Sequence, residues 1–280
     1  MASHVVVSTL AGDSLALDLQ PCSTISELKQ ALAGSAWGLP LACQRLVGAD
    51  AREPLGESEP VSQGRYTLII SLDSIRRDLE AGDSCQRLAA LHDLERLGSR
   101  GGEAALAAVV PCCEDSAFEV RWAAVLALAR VAEKGDVRAI SAVATRLEDC
   151  ADCVREAAIR AAPCVADVGG QRAIAAVASR LEHVDHDVRQ AAVEAIAHIS
   201  ERGDVHCITR LVTLLDKDEH NAVMAALEAI ARVAEAGNQQ AIAAVSEYLE
   251  VTGEGGSRRA NRLVRFKARR VVALLSGEPT

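Results

Sequence analysis

Apolar residues return along most of this chain with a period of 34 residues. The string VRWAA begins at Val120, VREAA at Val154 and VRQAA at Val188. Gly101, Gly135, Gly169, Gly203 and Gly237 keep the same interval. So do Leu106, Ile140, Ile174, Ile208 and Ile242, and also Leu147, Leu181, Leu215 and Leu249. Several columns in one register define full repeats at 84–115, 116–149, 150–183, 184–217 and 218–251. Within 116–149, Val120, Ala123, Ala124, Ala127, Leu128 and Val131 fall at helical spacing and make one apolar face. Gly135 is expected to end this first helix in the left-handed conformation, and Asp136 to cap the next. Ile140, Val143, Ala144 and Leu147 form the face of that second helix. Each repeat therefore predicts a hairpin of a helix A and a helix B. Neither helix can bury its apolar face alone, so the copies must stack.

The ends of the array read as caps. Leu72, Ile75 and Leu79 lie two periods before Ile140, Val143 and Leu147, which makes 72–80 an orphan helix B. At the other end, 252–262 (TGEGGSRRANR) breaks the register, and VRFKA at Val264 begins one more helix A, at 263–275, displaced by eight residues.

Residues 1–72 do not share the period. VVVSTL and SLALDL alternate like short strands and are separated by Ala11-Gly12-Asp13, a hairpin signal. Thr24 opens TISELKQAL with Glu27 three residues on, a capping box before an apolar helix. TLIISL at 67–72 is a further strand.

Two resemblances follow from these strings. The V-R-x-A-A opening and the glycine between helices, over about 84–275, resemble the short HEAT-like repeats, including those of the bilin-lyase type. The Trp, Leu-Gly, Tyr and Pro positions of tetratricopeptide repeats and the T-P-L-H string of ankyrin are absent. The segments STLAGDSLALDLQP, STISELKQAL, LPLACQRLV and TLIISL resemble ubiquitin across nearly all of 1–72. Together they imply a mainly α chain: a right-handed α-solenoid of 34-residue HEAT-like hairpins over 73–280, preceded by a small α+β ubiquitin-like (β-grasp) domain. Ubiquitin-type domains bind partners through an apolar patch. On this likeness Leu10 matches its hairpin-tip leucine and Val47 its central isoleucine, while Ser71 stands where a valine is expected and Ile69 where a histidine is. Leu72 runs straight into the repeats, so the Gly-Gly of a conjugated tag is missing.

Composition narrows the function. There are only two Trp, two Tyr and two Phe, so the core is built of small side chains that need closely approaching helices. The net charge of -9 argues against nucleic acid as a general partner, since phosphate binding needs clustered Lys and Arg. No run of about 20 apolar residues suggests a membrane span. The start, MASHVVV, lacks a basic, apolar signal pattern, and nine irregularly spaced cysteines suit free thiols in a reducing compartment. The expectation is a cytoplasmic protein, with the nucleus as the alternative.

Candidate chemistry is sparse. Arg121, Arg155 and Arg189 form a column at the start of three A helices. An anion-binding stripe and a structural ladder are both open, and the register with the core positions favours a ladder to acids such as Asp152 or Asp187. Glu182, His183, Asp185, His186 and Asp187 cluster in an inter-repeat loop, and Cys150 and Cys153 form a C-x-x-C. Neither supplies four zinc ligands, so no metal is expected. Cys112, Cys113 and Cys164 are expected as small core residues. The paired His-Glu motifs of deoxyhypusine hydroxylase are absent, as are G-x-S-x-G, H-E-x-x-H and any phosphate loop. The repeat of the bilin lyases cannot carry their activity by itself.

The reading is thus a non-catalytic, cofactor-free, monomeric scaffold that binds other proteins. Enzymes related to bilin lyases or hydroxylases are the first alternative. Docking of an acidic partner or nucleic acid on the basic C-terminal segment is the second. If B helices line the groove, the candidate contact positions are Arg138, Arg172, His206 and Gln240, one period apart, with Arg146 and Arg180. Leu10 and Val47 are candidates on the ubiquitin-like domain, and Arg258, Arg259 and Arg262 on the basic segment. That segment, 252–280, carries seven Lys or Arg against two acids. As a terminal repeat it is expected to turn a polar outer face to solvent.

Overall fold

The computed structural model describes residues 3–11, 13–20, 23–49, 53–62, 64–167, 170–217, 219–252 and 261–277. The chain divides into two compact units, Met1–Cys112 and Cys113–Thr280.

The first unit opens with β1 (Ser3–Thr9), β2 (Ser14–Leu19), α1 (Ile25–Gly34), β3 (Gln44–Gly48) and β4 (Gly64–Ile70). The sheet order is β2-β1-β4-β3. The central β1–β4 pair is parallel and the flanking pairs are antiparallel. Alternation along the strands buries Val5, Val7, Leu46 and Leu68, and α1 adds Ile25, Leu28 and Leu32 to this core. The predicted capping box forms, with Thr24 accepting from the Glu27 N–H and Glu27 accepting from the Thr24 N–H. Gln44 is buried because its amide donates to the carbonyls of Lys29 and Leu39, fixing the chain that leaves α1. Three helices complete the unit: α2 (Asp73–Ala81), α3 (Ser84–Leu97) and α4 (Gly102–Val109).

The second unit is made of repeated hairpins. The A helices are α5 (Phe118–Val131), α7 (Asp152–Val165), α9 (His186–Ile199) and α11 (His220–Val233). The B helices are α6 (Val137–Arg146), α8 (Gln171–Ala178), α10 (Val205–Thr213) and α12 (Gln239–Val251). Both series start every 34 residues, and α13 (Arg262–Ser276) closes the array. A helices pack on A helices and B helices on B helices. The contacts run through small columns: Ala124, Ala158, Ala192, Ala226 and Ala268 have no exposed surface. Alanine at that column removes the bulk that would hold the helices apart, so the deficit of aromatics is met by proximity. Asp136, Asp204 and Asn238 cap their B helices by accepting from N–H groups of the first turn. Among the described residues, no helix is long and apolar enough to cross a membrane.

The glycine column departs from expectation. Helix A ends at Val131, with Ala132 as an extended cap, so Gly135 lies beyond its end, next to the Asp136 cap of helix B. Its φ is +85°, and those of Gly203 and Gly237 are +79° and +82°. This conformation aims the Gly135 N–H at the Val165 carbonyl, 2.8 Å away at the end of the next A helix. Gly203 bonds Val233 at 2.8 Å and Gly237 bonds Leu275 at 2.6 Å in the same way. In the first repeat, Gly101 has a φ of −73°, and the left-handed positions are Gly98 and Gly102. Gly169 lies outside the described residues.

The glycine is therefore required by a turn whose N–H ties two repeats together. Gly203→Val is expected to cost about 1–3 kcal/mol, because a β-branched residue is strained at positive φ. Gly203→Asn should recover part of the loss, since Asn tolerates that region. Thermal melts of both variants check this, at roughly 2–4 °C per kcal/mol.

Candidate functional site

The candidate positions on the B helices stand in one exposed column. Arg138, Arg172, His206 and Gln240 each occupy the second position of a B helix and are exposed. The N-caps orient this column. Arg138 turns back to its own cap, with Nη2 2.9 Å from Asp136 Oδ2. The Arg138 hydrogen bond holds the Asp136 carboxyl below its ordinary pKa. Gln240 donates to Thr209 Oγ1 at 2.8 Å, joining α12 to α10. A groove of about 280 Å³ runs beside His206, lined by Gln171, Ile174, Thr209, Arg210 and Thr213. Val137 and Val205, at the first position of their helices, are more than half exposed, and the sequence reading missed them.

Arg146 and Arg180 sit lower and are engaged internally. Arg146 Nη1 lies 3.2 Å from Asp149, and Arg180 Nε lies 2.7 Å from Glu148. Their side chains are 15% and 22% exposed, so they form the floor of this face more than its contact surface.

The arginine column is a ladder, and Asp152 and Asp187 are among its acids. Each Nη1 donates to loop carbonyls that precede its helix: Arg121 to Asp115 and Ser116, Arg155 to Asp149, and Arg189 to His183 and Val184. Arg121 takes its acid from Asp149. Nε and Nη2 donate to the two carboxylate oxygens at 2.7 Å each. Asp149 also accepts from the Ala151 N–H at the start of α7, so one carboxylate joins the repeats and caps a helix. Burial pushes the Asp149 carboxyl up, but the Arg121 and Ala151 hydrogen bonds outweigh it and hold it below its ordinary pKa. Arg155 pairs with Asp152 at 2.5 Å and with Asp187 at 3.5 Å.

The loop cluster at 182–187 is spent on local structure. Glu182 pairs with Lys217 at 3.1 Å, His183 Nδ1 accepts from the Asp185 N–H, and Asp185 caps α9. Among the described residues, no group of three or more His, Cys, Asp or Glu is arranged to hold a metal ion.

The thiols divide by burial. Cys112 and Cys113 are buried as expected, but Cys164 is exposed, as are Cys150 and Cys153. Cys164 follows Pro163 in the last turn of α7, at a position that Arg130, His198 and Arg232 occupy in the other A helices. Burial pushes Cys43 up to about 12 and Cys207 up to about 11.

On the sheet, Leu10 is 79% exposed at the turn after β1. Val47 is half-buried on β3, opposite Thr67 of β4, and β4 lies between β3 and β1. At the C-terminal end Arg262 is exposed, and Arg258 and Arg259 lie outside the described residues. The last helix exposes Arg262, Arg269 and Arg270 as expected of a terminal element, but its exposed surface is not wholly polar. Leu263, Phe266 and Leu274 of α13 are each more than half exposed.

Residues 79–163 match the family described as HEAT repeats. A search of curated proteins finds no match. Similar solved structures include the archaeal HEAT-like repeats protein from Thermococcus onnurineus NA1, at 16% identity over 72% of this chain and 86% of that one, with a TM-score of 0.42. A designed armadillo repeat protein in complex with the peptide (KR)4 is 22% identical over 74% of this chain and all of that one, with a TM-score of 0.40. An engineered protein is 21% identical over 75% of this chain, with a TM-score of 0.41. The repeat fold rests on the hairpins themselves and on the family match.

Two outcomes follow from this geometry. Asp149→Ala leaves the buried Arg121 guanidinium without its carboxylate and should cost about 3–5 kcal/mol. A depressed folded pKa means the stabilisation is full above the unfolded Asp value of about 3.9 and is lost as pH falls through the folded value. The stability gap between the parent and Asp149→Asn should therefore narrow only below about pH 4, as read from urea melts across pH. In thiol titration of the native protein, an aromatic disulfide reagent should modify Cys85, Cys150, Cys153 and Cys164 and leave Cys43 and Cys207 until the chain unfolds.

Proposed function

We propose that this protein is a non-catalytic interaction scaffold whose B-helix face holds a segment of a partner protein. The observation that carries this reading is the groove beside His206. It is continuous with an exposed column of polar side chains repeated every 34 residues, and its walls offer donors and acceptors without a nucleophile–base pair or a metal cluster among the described residues. Repeated surface columns on a rigid stack suit recognition of an extended or helical segment. Arg138, Arg172, His206 and Gln240 are the contact residues of this proposal, with Arg146 and Arg180 beneath them.

The proposal extends to domain organisation. Residues 1–72 form a ubiquitin-like module and 73–280 a HEAT-like solenoid of the bilin-lyase type. The parallel central strand pair, the sheet order and the capped helix between hairpin and third strand support the first assignment. In this reading the module is a second docking surface, using Leu10 and Val47, and the whole acts as a cytoplasmic monomer without cofactor.

The test is charge reversal on the face. Arg172→Glu with His206→Glu should leave melting within about 0.5 kcal/mol of the parent, as for exposed positions. Quantitative affinity capture should lose its main partners by roughly tenfold or more. Equal capture by parent and variant would overturn the assignment of this face.

A further inference from the structure

The third arginine of the ladder differs from the other two. Arg189 is only 8% exposed. Its Nη1 donates to the carbonyls of His183 and Val184, at 2.8 Å each. Among the described residues, neither Nε nor Nη2 has an acceptor, and no carboxylate pairs with it. The reason lies in the repeat register. Arg121 is neutralised by the residue 28 positions on, Asp149, and the equivalent residue for Arg189 is Lys217. Arg155 is neutralised by Asp152 and Asp187, and the equivalents for Arg189 are His186 and Asn221. Every position that supplies a carboxylate to an earlier guanidinium is neutral or basic here. Neither Nε nor Nη2 is a buried atom left without a partner, so these two donors reach solvent through the small exposed part of the side chain and are open to an anion from outside the chain.

Arg189 lines a groove. Between α9, α11 and α13 lies a space of about 180 Å³ lined by Arg189, His186, Gln190, Asn221, Met224 and Leu263. The carboxylate in its wall, Glu228, is already engaged by Gln190, Arg232 and Lys267. The charge left open in the groove is therefore positive. Beside it stand Leu263 and Phe266, 62% and 59% exposed, with Leu274 further along α13. The equivalents of Leu263 are Glu119, Cys153, Asp187 and Asn221, and those of Phe266 are Trp122, Glu156, Gln190 and Met224. In the two A helices before α11 these columns are polar or small, so Leu263 and Phe266 bring apolar surface to α13 that those repeats lack. Arg262, Arg269 and Arg270, exposed on the same helix, add positive charge to α13.

We infer that this groove is a docking site for a partner-protein segment that carries an Asp or Glu followed by bulky apolar side chains. The carboxylate seats on Nε and Nη2 of Arg189, as Asp149 seats on Arg121. The apolar side chains bury against Met224, Leu263 and Phe266. The bidentate fork selects a planar anion, and the exposed apolar residues select a peptide over a free anion. This site lies on A helices and is separate from the B-helix face proposed above.

The probes are two pools of short fluorescent peptides, tested on the full chain by anisotropy. One pool carries a Glu with Leu and Phe at varied spacing after it, and the other has Gln in place of Glu. The Glu pool should bind roughly tenfold or more tightly, and less so in high salt. Lys217→Asp places a carboxylate where Asp149 stands in the second repeat. This variant should melt higher than the parent and lose discrimination between the pools. Leu263→Ser and Phe266→Ser should weaken binding without lowering the melting temperature. Arg172→Glu with His206→Glu should leave the peptide affinity unchanged, which separates this site from the B-helix face. Equal binding of the two pools would overturn the inference, as would undiminished discrimination by Lys217→Asp. A parent protein that dimerises in sedimentation, with dimers lost in Leu263→Ser, would make a second copy the occupant and overturn the partner assignment. If Asp218→Asn lowers the melting temperature as far as Asp149→Asn does, the fork is already filled from within the chain and the site falls.

Discussion

The last carbonyls of an A helix have no partner within the helix, and in a stack they are too far from water to be left alone. Here the next carbonyl down the array is answered by a glycine N–H from the preceding repeat: Gly135 to Val165, Gly203 to Val233 and Gly237 to Leu275. Each bond gives only about 0.5–1.5 kcal/mol net, but leaving the pair unmade costs about 1–3 kcal/mol. It also sets register, since the turn can reach only one carbonyl. The first two ties span 30 residues (165 − 135 and 233 − 203) and the last spans 38 (275 − 237). The eight extra residues before α13 therefore lie within the span of the last tie, and α13 docks as an A helix despite them.

The alanine column and the arginine ladder depend on that register. Alanines at equivalent positions meet only if successive helices keep the same offset, and their lack of bulk then lets the backbones approach. The ladder adds a second fastening from the guanidinium to the loop carbonyls. That bond recurs at Arg121, Arg155 and Arg189, although the acidic partner changes from repeat to repeat. The backbone contacts are uniform because every repeat must satisfy the same carbonyls. The carboxylates vary because other groups, inside the chain or outside it, can neutralise a side-chain charge.

Much of this was legible from spacing. The 34-residue period located the hairpins, Val120 to Val131 located the buried face of α5, and Asp136 announced its cap. The N-terminal order of strand, strand, helix and strand was also visible, from Thr24-x-x-Glu27 and two-residue alternation. Periodicity shows which positions are equivalent, but it does not show which neighbour each one meets. Gly135 was therefore read as a stop for its own helix, when its N–H serves the next one. Asp152 and Asp187 were legible as acids of the ladder, and both pair with Arg155, but Asp149, which takes Arg121, was not, because only the fold of its loop turns that carboxylate to the guanidinium. Cys164 looked like a core residue because cysteine usually is, but in its column charged residues stand at the surface of neighbouring repeats. The groove beside His206 could not be read at all, because it depends on side chains from two B helices that no single repeat brings together.

The last helix shows how one element can end a stack and still present a surface. In internal repeats the columns of Lys267 and Arg269 hold residues such as Ala123 and Val125, which are buried where the helices meet. Lys267 reaches back to Glu228 of α11, and Arg269 is exposed where Val125, Val193 and Leu227 are buried. A helix serving only as a solubilising cap would be polar on its remaining free face as well. Instead Leu263, Phe266 and Leu274 occupy columns that hold Asn221, Met224 and Arg232 in the preceding A helix. Their exposure contributes nothing to the fold of this chain, and it enlarges the apolar area in contact with water. Polarity at the stacking columns together with apolarity at the outer ones separates the two tasks. The apolar residues mark the side on which another protein's surface would gain by covering them.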